Sequence, residues 1–324
     1  MAGWARILLF AALSSCTGSS ARPRTAAPPP RRASEQSRPA DRAAPPAEVR
    51  VEIIQAGRGP RRALRYLFRP DRLGVMSTFF DMDIGYRTGE GAMIHTPSPP
   101  MEMDLELTAM SVERGVARVT HRISRLDVVT SASDATDEST RAAVRQRLQP
   151  MVGMTGTMAM DDRGRLLELS WNMPDNLAPE IRATLENFSR SGGDMVVPLP
   201  EEPVGVGAEW YAVKETPFMG IKMANTSRVK VLALDGDRVT LSYSTDISAG
   251  AQPFAFPGLP QGTTAELRSC DGSGSSEIDL DLGWMAPTRM SVQSRTEMTM
   301  ELTTGQQVER VLLQVRLTME TRRR

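Results

Sequence analysis

The chain has 324 residues, and its 39 lysine and arginine residues balance 39 aspartate and glutamate residues, so the formal net charge is zero. Interspersed charges that sum to zero give no overall field that would attract nucleic acid or an anionic membrane surface. Only two histidines and two cysteines are present, which limits the chemistry available for catalysis, metal binding and disulfide formation.

The N-terminus has the layout of a secretory signal. Arg6 supplies a positive charge, residues 7–13 form a short apolar run, and small residues precede Cys16. The run is far shorter than the roughly 20 apolar residues that a membrane-spanning helix needs. The stretch Leu13-Ser14-Ser15-Cys16 resembles the lipobox of bacterial lipoproteins: an aliphatic residue, two small residues and an obligatory cysteine. An ordinary cleaved signal with an incidental cysteine is the alternative.

The lipobox resemblance implies that residues 1–15 are cleaved off and that Cys16 becomes a lipidated N-terminus. It would carry a diacylglycerol on sulfur and an acyl group on nitrogen, and two or three chains anchor a protein stably to a bilayer. Thr17 stands where an aspartate would mark inner-membrane retention, so the resemblance favours the outer membrane of a Gram-negative bacterium. With Cys16 lipidated, Cys270 lacks a partner for an internal disulfide.

After Cys16, residues up to 47 are mostly proline, alanine, serine and arginine, which predicts a disordered tether. About 31 residues would reach roughly 30 Å as a flexible coil and about 95 Å if stiffened toward polyproline geometry. The six arginines of this segment could contact anionic lipid or polymers, but a solvated spacer is favoured.

From residue 48 onward, apolar residues alternate with polar ones, which is typical of antiparallel strands with one wet face. The clearest strand is Met101–Leu107, and Glu113-Arg114-Gly115 predicts a hairpin turn into the next strand. Other strands of the first half, residues 48–200, are predicted around 49–53, 64–68, 80–84, 116–123, 154–160 and 167–171.

Two helices are predicted in the first half. A short one over 134–149 begins on acidic residues near Asp137 and is expected to pack over the sheet. The other covers 175–190 with an apolar stripe, a cap at Asp175 or Asn176 and Pro179 in its first turn. Gly192-Gly193 is expected to end it.

The proline-rich residues 198–203 predict a joint before a second β-rich half, residues 201–324. Strands are expected near 204–210, 229–233, 239–245, 278–284, 290–300 and 311–319. The apolar loop 251–262 is interpreted as a plug or lid. Because the hairpins at residues 113–115 and 235–237 share position and pattern, an internal duplication is a further hypothesis.

The predicted fold class is mainly β: antiparallel hairpins forming a curved sheet, half-barrel or sandwich, with two related halves as an option and one or two packed helices. The lipobox, the spacer, the hairpins and the joint Glu202-Pro203-Val204-Gly205-Val206-Gly207-Ala208-Glu209-Trp210 together resemble an uncharacterised family of bacterial lipoproteins with a domain of unknown function. That resemblance implies no known activity.

Catalytic motifs are weak in this sequence. There is no Gly-x-Ser-x-Gly, Cys270 has no motif around it, and His95 and His121 each stand alone. The acid pairs at 161–162 and 235–237 could be glycosidase carboxylates, but they fall in turns where aspartate and glycine serve local geometry. We therefore expect no enzyme and no cofactor, with an envelope hydrolase as a distant alternative.

Methionine pairs on single strand faces are the remaining candidates for a site. They suit Cu(I), ordinary core packing, or an adaptable apolar cavity. We expect no metal, and a low-ranked apolar ligand site at Met101, Met103, Met158, Met160, Met298 and Met300. The predicted function is a non-catalytic envelope lipoprotein that binds an apolar small molecule or an envelope protein. The alternatives are an interaction module with a filled core and no ligand, and a Cu(I)-binding protein.

Overall fold

The computed structural model describes residues 48–130, 136–191, 196–218, 221–254 and 262–324. Within these ranges the chain forms sixteen strands, two α-helices and a single-turn 3₁₀ helix (Gln149–Met151), which confirms the mainly β class. The strands are β1 (Arg50–Gln55), β2 (Arg58–Arg62), β3 (Leu73–Thr88), β4 (Ile94–Pro97), β5 (Met101–Glu113), β6 (Val116–Val128), β7 (Thr155–Asp161), β8 (Leu166–Trp171), β9 (Val204–Val206), β10 (Glu209–Phe218), β11 (Ile221–Asp235), β12 (Arg238–Ala249), β13 (Gln252–Phe254), β14 (Thr263–Asp281), β15 (Pro287–Thr304) and β16 (Gln307–Arg323). The helices are α1 (Glu138–Leu148) and α2 (Pro179–Ser191).

Fourteen strands form one antiparallel sheet that is not closed. Its order is β1-β10-β11-β12-β14-β15-β16-β3-β5-β6-β7-β8, with β4 beside β3 and β13 beside β14, while β2 and β9 pair separately. The C-terminal strand β16 pairs with β3, and β1 pairs with β10. The two predicted halves therefore share a single sheet.

The sheet has one face that the chain's own segments cover, the covered face, and an opposite, open face. Side chains alternate between the faces, so the register places apolar residues on the covered face. A first core packs α2 and Trp284 against β3 and β5–β8. A second core packs residues 64–68 and 196–204 against β10–β12, β14 and β15, and a third lies at the far ends of β14–β16.

The predicted strand at 64–68 is wrong, although the alternating apolar residues that suggested it are buried. Leu64 and Tyr66 are buried in the second core, but the segment is not paired in a sheet. Instead, the Tyr66 amide donates to the Asp162 carbonyl at 2.7 Å and the Leu67 amide to the Leu282 carbonyl at 2.6 Å. Carbonyl groups of two turns accept the backbone hydrogen bonds of this segment. The alternation of apolar and polar residues therefore belongs here to an extended segment that crosses the sheet without pairing in it.

The prediction for residues 278–284 is partly wrong, because β14 runs from Thr263 to Asp281 and Trp284 lies in the following turn. The first part of β14 contains Gly272 and Gly274, which have poor intrinsic strand propensity. Pairing with β12 on one side and β15 on the other overrides that propensity. Around Gly272 the neighbouring strand is close, since a Cβ there would lie 2.7 Å from Thr296 Oγ1.

Both helices form, with differences in detail. The acidic start of α1 near Asp137 is confirmed: Asp137 is the N-cap and accepts a hydrogen bond from the Thr140 amide at 2.7 Å. The expected packing over the sheet is weak, because α1 has no buried residue. Helix α2 begins at Pro179, not directly after Asp175, and its predicted end at Gly192-Gly193 lies outside the described residues. It contacts both β8 at one edge of the sheet and β10 near the other.

The joint motif has a structural role. Trp210 is fully buried and donates from Nε1 to the Pro198 carbonyl at 3.1 Å. Gly207 has a φ of +78°, and a Cβ on Gly205 would overlap the Arg58 carbonyl oxygen. The two glycines therefore permit the turn that leads into β10 and seats the tryptophan.

Candidate binding surface

The predicted anchor lies outside the described residues. Leu13, Ser14, Ser15 and Cys16 belong to it, as does the tether up to residue 47. In the part of the chain that is described, no helix has the length and apolar character to span a bilayer.

The structure distributes the six predicted methionines over separate places. Met158 and Met160 are buried in the first core, where Met103 packs at the margin. Met298 and Met300 are buried in the third core. Met101 is half-buried and belongs to neither the first nor the third core. The six side chains therefore do not line one cavity.

Between the three cores, the covered face carries a half-buried apolar strip. It consists of Phe80, Met82, Met101 and Leu317, which adjoin across β3, β5 and β16. Sequence alternation identified the strands but could not show which apolar positions the covering segments leave partly open.

The structure also places two sulfur-containing residues next to each other that are far apart in the sequence. Cys270 is directly opposite Met298 on neighbouring strands and is only 1% exposed. Burial raises the pKa of the Cys270 thiol, and the Asp271 carboxylate adds to this shift. The side chain therefore remains a thiol packed in the third core. In the described ranges, no cluster of three or more His, Cys, Asp or Glu residues is placed to hold a metal ion.

His121 is a buried imidazole on the covered face of β6. It is 2% exposed, it meets Trp171 edge-on with ring centroids 4.1 Å apart, and Gly156 lies beneath it. Neither ring nitrogen of His121, nor Trp171 Nε1, has a hydrogen-bond partner within the described structure. Burial lowers the pKa of His121 from 6.5 to about 4. The ring is therefore neutral at pH 7 and packs as part of the core.

Two other candidate catalytic groups, Asp161 and His95, interact with neighbouring residues. Asp161 accepts hydrogen bonds from the Arg163 and Arg165 amides at 3.1 and 2.8 Å, which is its turn role. His95 is exposed, and its Nδ1 lies 3.2 Å from a carboxylate oxygen of Asp83, a neighbour that the sequence did not reveal.

Much of the open face is internally paired. Glu209 interacts with Arg228 and Lys230, and the hydrogen bond from Arg228 is the main reason that the pKa of Glu209 falls below its usual range. Asp104 accepts from Arg125 Nε at 2.9 Å. Although burial raises the pKa of Asp104, hydrogen bonds from Ser77 and Arg125 outweigh this and hold it low.

In one region of the open face, most polar side chains are not paired with each other, and we call this region the serine cleft. It has a volume of about 600 Å³ and crosses β12, β14 and β15. The side chains of the open face that line it are Leu232, Ser242, Ser244, Ser275, Glu277, Asp279, Arg289, Ser291 and Gln293. Register brings Ser242, Glu277 and Ser291 into one row across the strands, and Ser244, Ser275 and Gln293 into the next.

A trough forms there because small hydroxyl side chains on neighbouring strands lie between longer ones. Arg289 and Gln293 border it on β15, and Leu232, which is 42% exposed, borders it on β11. Asp279 Oδ1 accepts from Thr240 Oγ1 at 2.8 Å. Sequence reasoning missed this site because its signal is only a set of serines spread over three strands.

Comparison with protein-family models and with curated proteins gives no match to this chain.

Proposed function

We propose that this protein is a lipid-anchored component of the bacterial cell envelope that acts by binding through the surface of a filled β body, without catalysis. The lipobox-like Leu13–Cys16 stretch and the tether-like composition up to residue 47 support the anchor and the envelope location. We propose the outer membrane because Thr17 follows the cysteine, at the position where an aspartate would mark retention in the inner membrane.

The observation that carries the binding role is that the chain's own segments occupy the covered face. Helix α2, residues 64–68, residues 196–204 and residues 282–286 pack there, and Trp210 and Trp284 are almost fully buried. Interiors packed in this way leave no room for a large ligand. The surfaces available to a partner then lie outside the cores.

The proposal that the protein is not an enzyme is supported by the structural roles of the candidate catalytic residues His121 and Asp161. His121 is neutral and packed, and Asp161 serves its turn. A base that cannot reach a nucleophile or a substrate does not meet the geometric requirement of general base catalysis.

The anchor is tested by Cys16→Ala in the native host, followed by membrane fractionation and intact-mass measurement of the mature chain. We expect the wild-type chain to be found in the membrane fraction with added acyl mass and the variant to be soluble. Cys270→Ala is the matched control, because it removes the other cysteine and should leave the protein on the membrane. Retention of the Cys16→Ala chain on membranes would overturn the anchor.

A second candidate, binding of an apolar small molecule, is favoured by the half-buried strip of Phe80, Met82, Met101 and Leu317 on the covered face. Methionine adapts to ligands of varied shape. Mass spectrometry of organic extracts from the purified chain tests it. A stoichiometric lipid that is lost in Met82→Glu would favour this candidate over the filled module.

A further inference from the structure

We propose that the serine cleft is a binding site for an uncharged glycan. This rests on the proposed non-catalytic binding function and names the ligand class for one surface. The cleft volume of about 600 Å³ lies within the range of roughly 300–1,000 Å³ that is common for small-ligand sites.

The first argument is that the polar side chains of the cleft, apart from Asp279, have no side-chain partner among the described residues. Glu277, Arg289, Gln293 and the serines at 242, 244, 275 and 291 make no hydrogen bond or ion pair with any other described side chain. Elsewhere on the same face, such groups are paired, as Arg268 is with Glu266 and Glu301. The cleft therefore offers free donors and acceptors side by side, which is what a ligand with many hydroxyl groups requires.

The second argument comes from charge. Two carboxylates, Glu277 and Asp279, face a single guanidinium, that of Arg289, so the lining has a formal charge of minus one. A polyanion such as nucleic acid or a phosphorylated headgroup would be repelled. A neutral chain of hydroxyls can accept from the arginine and donate to the carboxylates, and it brings no negative charge of its own to the cleft.

The third argument is that the strand backbones under the cleft have no free hydrogen-bonding groups for a ligand. Strands β12, β14 and β15 are interior strands, each paired on both sides. A peptide that binds by adding a strand needs a free sheet edge, and this site has none. Recognition must therefore come from side chains, while Leu232 gives an apolar border for the C–H face of a sugar ring.

The test uses the full mature chain in a detergent without a sugar headgroup. The probes are three neutral trisaccharides, N,N′,N″-triacetylchitotriose, maltotriose and cellotriose, and binding is followed by saturation-transfer NMR and isothermal titration calorimetry. We expect at least one of them to bind wild-type protein. Failure of all three to bind at 20 mM would overturn the proposal.

Variants locate the site. Ser244→Phe fills the cleft, and Ser248→Phe, on the open face of the same strand but outside the cleft, is its control. Arg289→Ala removes a donor, and Arg295→Ala, on the same strand and outside the cleft, is its control. We expect the dissociation constant to rise roughly tenfold or more in the two cleft variants only. Because Arg289 is exposed, its removal should leave the fold intact even if Ser244→Phe does not fold.

Equal losses in the cleft variants and their controls, or no loss in either cleft variant, would contradict the assignment. Cleavage of a bound trisaccharide in the same spectra would overturn the non-catalytic function but leave the site in place. Conversely, these measurements on purified protein do not depend on where the cell keeps it, so a failed anchor and a failed glycan site can be told apart.

Discussion

Acid should destabilise this protein through His121. In the folded chain the buried ring has a pKa of about 4, whereas the ordinary value is 6.5. Between these two values the unfolded chain binds a proton that the folded chain does not bind, so the free energy of unfolding falls as the pH falls. The contribution of His121 is constant above about pH 7 and is lost progressively down to pH 4.

The size of this effect follows from the two pKa values. Each unit of difference corresponds to about 1.4 kcal/mol, so the full loss is about 3 kcal/mol once the pH is below 4. Between pH 7.5 and pH 5.0 the linkage relation gives a loss of about 2 kcal/mol. Since His121 is only 2% exposed, solvent screening requires little correction. Such a loss is a large part of the total stability of a typical domain.

The assay is urea unfolding of the Cys16→Ala chain at pH 7.5, 6.5, 5.5 and 5.0, with and without His121→Leu. Leucine cannot take up a proton, so the variant should lose about 2 kcal/mol less than the parent between pH 7.5 and 5.0. His95→Gln keeps His121 and is the control, and it should keep the parental loss. Parallel stability profiles for the parent and His121→Leu would refute the reasoning.

Two further predictions concern packing. Gly74→Ala would place a Cβ 2.8 Å from Trp284 Cζ3 and closer still to two other ring carbons, so urea unfolding should show a loss of about 1–3 kcal/mol. Gly250→Ala, where nothing lies within 4 Å of the new atom, is the control and should stay within about 0.5 kcal/mol of the parent; equal effects would contradict the contact. In the Cys16→Ala chain, Cys270 is the remaining thiol, and it should react with an aromatic disulfide reagent only after unfolding, because it is 1% exposed and burial raises its pKa. Rapid labelling at neutral pH without denaturant would show that the third core is open.

The hairpins illustrate what local sequence can reveal. Arg114 and Gly115 both have positive φ, as does Gly236 in the other predicted turn, so the turn residues stand where the backbone requires them. Strict alternation in Met101–Leu107 likewise gave β5, because one side of an antiparallel sheet faces water and the other does not. Local chemistry and tertiary position agree at these places.

Elsewhere, alternation alone was insufficient. Leu64 and Tyr66 alternate like strand residues but belong to a crossing segment, since period two records burial of every second side chain and not the pairing of the backbone. Gly272 and Gly274 have poor intrinsic strand propensity but lie in β14, because two neighbouring strands supply the backbone hydrogen bonds. Both differences come from contacts with residues distant in sequence.

By itself, the sequence determined the fold class, most strand positions and two helices, because side-chain period and turn residues depend on near neighbours. The proposal of a lipid anchor also rests on the sequence alone, at Leu13–Cys16. Only the tertiary structure decided which strands are neighbours, that the six methionines are divided among separate places, and that serines from β12, β14 and β15 meet in one cleft. The physical reason is that strand order and register depend on long-range pairing, which no local pattern encodes.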